Sequence, residues 1–266
     1  MKRFFSFSFF VFSFWAGAAL TQDEPLKIEI TDGVIEPLSF AVPVFEAENS
    51  AAREIAAEIS SIVVADLTSS GLFREIPKNR FIAQRKTFEE PVRFPDWRAV
   101  NAQALVTAAV KTNGSGQLTV KFRIFDIFSG VQLGKGTQLS GSTGAARRMA
   151  HQVADQVYKR ITGEGAYFDS RIVFVSESGP KDKRLKRLAI MDSDGEQMKF
   201  LTGNDNIVLA PRISSDGTKV LYTSWETGFP QIYLLDVETG RRQRVNTPGN
   251  DVAFSPRFSP NNKRIV

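Results

Sequence analysis

The alternation of apolar and polar residues near the start of the chain predicts extended strands. Residues 27–34 alternate and end at an Asp-Gly turn, and residues 37–43 form a second extended segment. Gly-rich or Ser-Gly turns at 113–116 and 128–130 separate further apolar runs. These runs predict three strands in series, over residues 105–111, 117–127 and 131–139.

Apolar residues spaced three and four apart predict two long helices. The first is capped by Asn49 or Ser50, runs to about residue 70 and ends before Gly71. The second begins at Thr143 and is closed by Gly163. Its predicted inward-facing residues are Ala146, Met149, Ala150, Val153, Val157 and Ile161.

A short helix containing Trp97 and Val100 is expected between the two long ones, with Asp96 as its cap. Two long helices together with a mixed sheet are typical of an α+β domain. We therefore predict that residues 20–165 form an α+β amino-terminal domain.

A repeat dominates the rest of the chain. Pro-Arg-Ile-Ser at 211–214, a turn and a strand over 219–224 return as Pro-Arg-Phe-Ser at 256–259, 45 residues later. The segments 231–236 and 242–246 supply two more strands. A repeat of about 40–50 residues built from four strands is typical of one blade of a β-propeller. Residues 166–266 are predicted to form a partial all-β propeller of about two blades and the start of a third.

The first 19 residues have the pattern of a secretory signal peptide. Met1-Lys2-Arg3 is a positive start, residues 4–19 are mostly apolar, and small residues precede a polar stretch. The apolar run is shorter than the ~20 residues that a membrane span needs, which disfavours a membrane anchor. We therefore expect an exported protein.

Composition removes several kinds of chemistry. The chain has no cysteine, a single histidine and a net charge of +5 spread without a long basic block, so we expect neither disulfides nor nucleic-acid binding. His151 is expected on a helix surface beside Arg147 and Asp155. Residues 192–195 resemble the opening of a calcium loop but lack its closing ligands, so a hairpin turn is the better interpretation.

No motif for covalent catalysis or phosphate binding stands out in the sequence. Tyr222, Trp225 and Tyr233 are interpreted as packing residues of the blades. We therefore predict no enzyme activity, no catalytic residue, no metal site and no cofactor.

The blade residues resemble a known family. Pro-Arg-(Ile/Phe)-Ser-x-(Asp/Asn)-(Gly/Asn)-x-(Lys/Arg)-(Val/Ile), followed by Gln-Ile-Tyr-Leu-Leu-Asp, is similar to the PD40 blade of TolB-type propellers. The preceding domain resembles the TolB amino-terminal domain over its full length, including the stretch 27–34. The resemblance implies a periplasmic adaptor of the Tol–Pal system that maintains outer-membrane integrity and aids cell division.

The resemblance also implies partners and contact residues. The partners are TolA, the Pal lipoprotein and further outer-membrane lipoproteins or porins. TolA contact is implied for the tail, by strand addition to a sheet edge, although this tail could equally be a permanent strand of its own domain. Its residues are Lys27, Ile28, Glu29, Ile30, Asp32 and Gly33. Pal contact is implied for the loops before each Pro-Arg strand, at Asn206, Leu209, Ala210, Val252, Phe254 and Ser255.

Two other functions are open at this stage. A ligand-binding propeller would gather aromatic and acidic residues on its blade loops, which the loops 204–209 and 249–254 show only weakly. An accessory propeller of a peptidase would be accompanied by a hydrolase segment. The first blade also lacks its own Pro-Arg strand, which TolB-like propellers supply from the far carboxyl terminus. We therefore interpret the 266 residues as a truncated member of that family.

Overall fold

The computed structural model describes residues 36–82, 87–165, 167–204, 207–246 and 252–266. It shows a mixed sheet with two long helices, followed by two antiparallel sheets in series. The predicted fold class, an α+β unit followed by a partial propeller, is confirmed. The predicted signal peptide and the tail 27–33 lie outside the described residues. Within the described part of the chain, no helix has the length and apolar character needed to cross a membrane.

Seven strands form the sheet of the amino-terminal unit. They are β1 (Leu38–Ala41), β2 (Glu46–Ala47), β3 (Phe73–Glu75), β4 (Ala104–Thr112), β5 (Gln117–Asp126), β6 (Val131–Gln132) and β7 (Thr137–Ser142). The order is β3-β1-β4-β5, with β6 and β7 both paired to β5 and β2 paired to β4. The sheet is mixed because β1 runs parallel to β3 and β4, whereas β4 and β5 are antiparallel.

Both predicted long helices are present and pack together on one face of the sheet. Helix α1 spans Arg53–Ser69 after a short turn capped by Asn49, whose Oδ1 accepts a hydrogen bond from the Ala52 amide. Helix α3 spans Ala146–Thr162 and ends at Gly163 in the left-handed conformation. All six residues predicted to face inward on α3 are buried. The main core therefore lies between this helix pair and the sheet.

The other face of the sheet carries a smaller core around Trp97, Val100, Leu105 and Ile127. Helix α2 spans Phe94–Ala99 on this face. We predicted Asp96 as its cap, but the capping position before its first residue is Arg93. Asp96 lies within the first turn and pairs with Arg93 at 3.2 Å. A proline in the first turn starts this helix without needing an amide partner, so the start falls three residues earlier than Asp96 as a cap suggested.

The prediction of one continuous strand over residues 131–139 is also wrong. It divides into β6 and β7 because Gly134 adopts a positive φ of 66° between them. The guanidinium of Arg160, on α3, binds the carbonyl oxygens of Leu133 and Lys135 and the hydroxyl of Thr137. A tertiary contact thus holds the bend that interrupts the strand.

Two antiparallel sheets follow as successive blades. The first contains β8 (Arg171–Ser178), β9 (Leu185–Asp192) and β10 (Lys199–Phe200) in the order β10-β9-β8. The second contains β11 (Val208–Ile213), β12 (Lys219–Ser224), β13 (Gln231–Asp236) and β14 (Arg242–Arg244) in sequential order. The predicted four-strand unit is therefore observed in the second sheet. The first sheet has three strands among the described residues.

The two sheets share one apolar core. Tyr222 and Tyr233 of the second sheet stack within it, with ring centroids 5.7 Å apart, beside Leu188 and Ile190 of the first sheet. The packing role predicted for these tyrosines is confirmed, while Trp225 is half-buried. The next copy of the repeat shows the start of the same antiparallel pairing, because Phe258 and Ile265 form an antiparallel bridge.

Candidate functional site

The two ends of the blades face different surroundings. At one end, the turn between β11 and β12 contacts the start of β8, where Arg171 donates a 2.6 Å hydrogen bond to the carbonyl oxygen of Gly217. Asp192, also at this end, pairs with α3 of the amino-terminal unit. At the opposite end Val208 pairs with Ser224. We call that opposite end the distal face.

The structure brings three predicted Pal-contacting positions together near the distal face. Leu209 pairs with Thr223 on β12. The amide of Ser255 donates a 3.1 Å hydrogen bond to the hydroxyl of the same Thr223. Ala210 follows Leu209 directly. Leu209, Ala210 and Ser255 therefore belong to one patch, although two of them come from one copy of the repeat and the third from the next.

Ala210 and Ser255 share an uncommon backbone conformation. Both precede the proline of their repeat, and their φ angles are +50° and +56°. The pairing of β11 with β12 shifts register between Leu209 and Arg212, which marks a bulge at this point. Residues other than glycine rarely adopt positive φ, so the repeat holds the same strained bend in two successive copies.

The distal face also exposes large apolar side chains. Val252 is 56% exposed and Phe254 is 66% exposed. Ile207, in the loop before the first Pro-Arg strand, and Phe229 are exposed to similar extents on the same face, and sequence analysis missed Phe229. The sequence did carry a signal for Phe229, because it is a bulky apolar residue in the loop between Gly228 and Pro230. Asn206 and the tail positions 27–33 lie outside the described residues.

The end of the blades away from the distal face forms a charged junction with the amino-terminal unit. Arg147 on α3 pairs with Asp192 at 3.1 Å and also contacts Asp194 in the turn after β9. Next to it, Arg148 pairs with Asp169 at 3.2 Å. The segment 192–195 is thus a hairpin turn, as predicted, and its carboxylates serve to attach the first blade to α3.

His151 corrects a prediction, because it is buried at this junction and not on a helix surface. Its side chain is 2% exposed, and Nδ1 lies 2.7 Å from Oδ2 of Asp66 on α1. Burial by itself lowers the pKa of His151, but the hydrogen bond to Asp66 and the charges of Asp66 and Asp194 outweigh it. The pKa therefore lies above its usual value.

Among the described residues, Nε2 of His151 has no hydrogen-bond partner, and it faces Oδ2 of Asp192 at 3.9 Å. Asp66, His151 and Asp194 also offer atoms within 4.8 Å of one another, as in some metal sites. One of these three, Asp194, is already paired with the guanidinium of Arg147, which also binds Asp192.

A polar cavity of about 690 Å³ opens beside the junction. Its walls come from both parts of the chain, and His151 borders it. Most of its charged groups already have partners, since Arg171 lies 3.4 Å from Glu238 and Arg148 pairs with Asp169. The cavity is therefore lined in large part by ion pairs, and His151 lies at its border.

Comparison with known proteins agrees with both halves of the chain. A model of the TolB amino-terminal domain matches residues 26–133, and a model of the TolB beta propeller domain matches residues 158–266. The chain is 54% identical over 245 residues to the Tol-Pal system protein TolB of Roseobacter denitrificans, covering 92% of this chain and 55% of that protein. It is 56% identical over 244 residues to the same protein of Dinoroseobacter shibae, with 91% and 55% covered.

Among solved structures, TolB from Acinetobacter baumannii matches with a TM-score of 0.68 and 28% identity, covering 86% of this chain and 54% of that one. The chain spans about half the length of the relatives it matches. Both of its parts carry the corresponding TolB domain, in the same order. The chain therefore belongs to the TolB family of the Tol–Pal system.

Proposed function

We propose that the protein is a non-enzymatic periplasmic adaptor that binds the Pal lipoprotein through its distal face and TolA through its tail. In this role it would link partners that maintain the outer membrane and take part in cell division. Membership of the TolB family supports a role in the Tol–Pal system. The observation that carries the Pal contact is the group of exposed apolar side chains on the distal face, led by Phe254.

Exposed apolar groups favour a protein partner because burying them on binding removes apolar surface from water. Phe254 and Val252 lie within three residues of Ser255, and Ile207 within three residues of Ala210, the two positions with positive φ. The distal face thus combines exposed apolar contact area with the same backbone bend in two copies of the repeat.

The test replaces both Leu209 and Phe254 with Asp. An unpaired charge in a desolvated contact costs about 2 kcal/mol or more, so affinity for the soluble part of Pal should fall about thirtyfold or more. The control is Phe128→Asp, since Phe128 is 84% exposed on the amino-terminal unit. Calorimetric titration measures both, and circular dichroism checks the fold. Unchanged affinity of the double variant would remove these loops from the interface.

The tail proposal has a separate test. Deleting residues 22–32, which include Lys27, Ile28, Glu29, Ile30 and Asp32, should abolish binding to TolA and leave the thermal unfolding temperature almost unchanged. A terminal segment can be removed without loss of stability only when the core does not depend on it. Binding that survives the deletion would contradict the proposal. A large drop in unfolding temperature would show that the tail is a strand of the amino-terminal sheet.

A further inference from the structure

The junction between the amino-terminal unit and the first blade contains a buried titratable pair that the proposed adaptor function does not use. Asp66 is 4% exposed, and its observed side-chain hydrogen bond goes to His151. A buried carboxylate is costly unless an opposite charge or strong hydrogen bond compensates it. A proton on His151 would supply that charge at 2.7 Å.

The charges facing His151 come from every element packed around it. Asp66 lies on α1, Arg147 on α3, and Asp192 and Asp194 at the end of the first blade. Three carboxylates therefore face one guanidinium. When His151 is neutral, two negative charges at this junction lack a positive partner. Protonation reduces that excess to one.

Protonation also changes what His151 can bind. In the neutral ring one nitrogen carries hydrogen, and the short contact to Asp66 fixes that hydrogen on Nδ1. Nε2 is then a lone-pair acceptor facing the carboxylate of Asp192 at 3.9 Å, two acceptors that cannot bond. In the imidazolium form Nε2 carries a hydrogen, and a shift of about 1 Å brings it within hydrogen-bond distance of Asp192.

We propose that His151 is a proton-dependent clasp between the amino-terminal unit and the propeller. Its protonated ring holds Asp66 on α1 and Asp192 on the first blade at the same time. Its neutral ring keeps only the contact to Asp66, and the blade is then held to this helix pair through Arg147. This device would operate whether or not the partners proposed above are the correct ones.

The direction of the pH dependence follows from the contacts. The pKa of His151 is raised in the folded protein, so the clasp is fully formed below the ordinary pKa of histidine, about 6.5. Its contribution is lost as pH rises through the higher, folded value. The junction should therefore be tighter in mildly acidic solution and looser in alkaline solution.

The composition of the chain makes the first measurement direct. His151 is the sole histidine, so an imidazole nitrogen spectrum contains one set of ring signals and needs no assignment. We expect its titration midpoint above about 6.5, with both nitrogens protonated at low pH. A midpoint at or below that value would overturn the proposal.

The second measurement follows the junction itself. The chain has no cysteine, so spin labels can be placed at Ala57→Cys on α1 and Gln243→Cys on β14, both exposed positions. Between about pH 5 and about pH 8 the distance distribution should broaden, with the same midpoint as the His151 signals. A distribution that does not respond to pH, or that responds with a different midpoint, would contradict the clasp.

Variants separate a switch from a merely structural histidine. Asp192→Asn should lower the His151 midpoint by about half a pH unit or more and remove the pH response of the label distance. Asp169→Asn is the matched control, because it removes a neighbouring junction carboxylate that pairs with Arg148 instead. It should leave the His151 midpoint and the pH response in place. Equal effects of the two variants would overturn the proposal, as would a pH response that persists in His151→Gln.

Discussion

At the scale of single residues, Ala210 and Ser255 occupy equivalent positions and share positive φ angles before a proline. A side chain in this region costs about 1 kcal/mol or more, because Cβ crowds the neighbouring backbone. Glycine would relieve that crowding. The repeat instead keeps a residue with a side chain at both positions, which suits a bend that must stay fixed at the distal face.

We expect Ala210→Gly to raise the free energy of unfolding by about 0.5–1 kcal/mol. The relieved strain exceeds the extra conformational entropy that glycine adds to the unfolded chain. The control is Ala189→Gly, because Ala189 is fully buried in the regular strand β9. That change should lower the free energy of unfolding by about 1 kcal/mol. Urea unfolding measures both, and a loss of stability in Ala210→Gly would show that the bend carries no strain.

At the scale of elements, Arg160 joins helix α3 to the bend between β6 and β7. It donates to the Lys135 carbonyl oxygen at 2.9 Å and to the Thr137 hydroxyl at 2.6 Å, and it lies over the Phe122 ring. Burial lowers the pKa of Arg160, which fits a guanidinium enclosed by the protein. The bend at Gly134 thus depends on a side chain from an element distant in sequence.

Arg160→Met should lower the free energy of unfolding by about 2 kcal/mol. Methionine keeps much of the apolar stem but leaves the bound carbonyl oxygens without their charged donor. Amide exchange in the segment 133–136 should accelerate more than elsewhere in the sheet. Lys159→Met is the matched control, since Lys159 is the exposed neighbour on the same helix. If the two variants are equally stable, the guanidinium does not hold the bend.

At the scale of the whole molecule, the connection between α3 and β8 is anchored from both sides. Oδ1 and Oδ2 of Asp155 accept hydrogen bonds from the amides of Phe168 and Asp169. From the propeller, the Ser193 hydroxyl donates to the Phe168 carbonyl oxygen at 2.8 Å. Burial raises the pKa of Asp155, and the two backbone hydrogen bonds oppose that rise. Asp155 therefore fixes the path by which the chain enters the first blade.

Asp155→Ala should lower the free energy of unfolding by about 1–3 kcal/mol, because two partly buried amides lose their acceptor. Hydrogen exchange at Phe168 and Asp169 should become faster, while exchange in the central strand β4 stays slow. Gln156→Ala, at the adjacent exposed position, is expected to change neither quantity. Unaltered exchange at the two amides in Asp155→Ala would show that other contacts hold the connection.

The sequence alone determined the elements whose signals are local. Helical spacing with Asn49 and Gly163 at the ends placed both long helices, since caps act within one turn. The 45-residue repeat determined the four-strand blade, because each copy carries its own turn residues. The family resemblance rested on this repeat and on the preceding domain, and it is confirmed.

Only the tertiary structure decided the features that depend on distant residues. The residues one turn before and after His151 on its helix are charged, which indicates a solvent-facing position. In the structure His151 is buried and pairs with Asp66 on the other long helix, 85 residues earlier. The bend at Gly134 likewise needed Arg160. Burial and pairing across the fold are set by how elements pack, and no local pattern records which carboxylate will meet which cation.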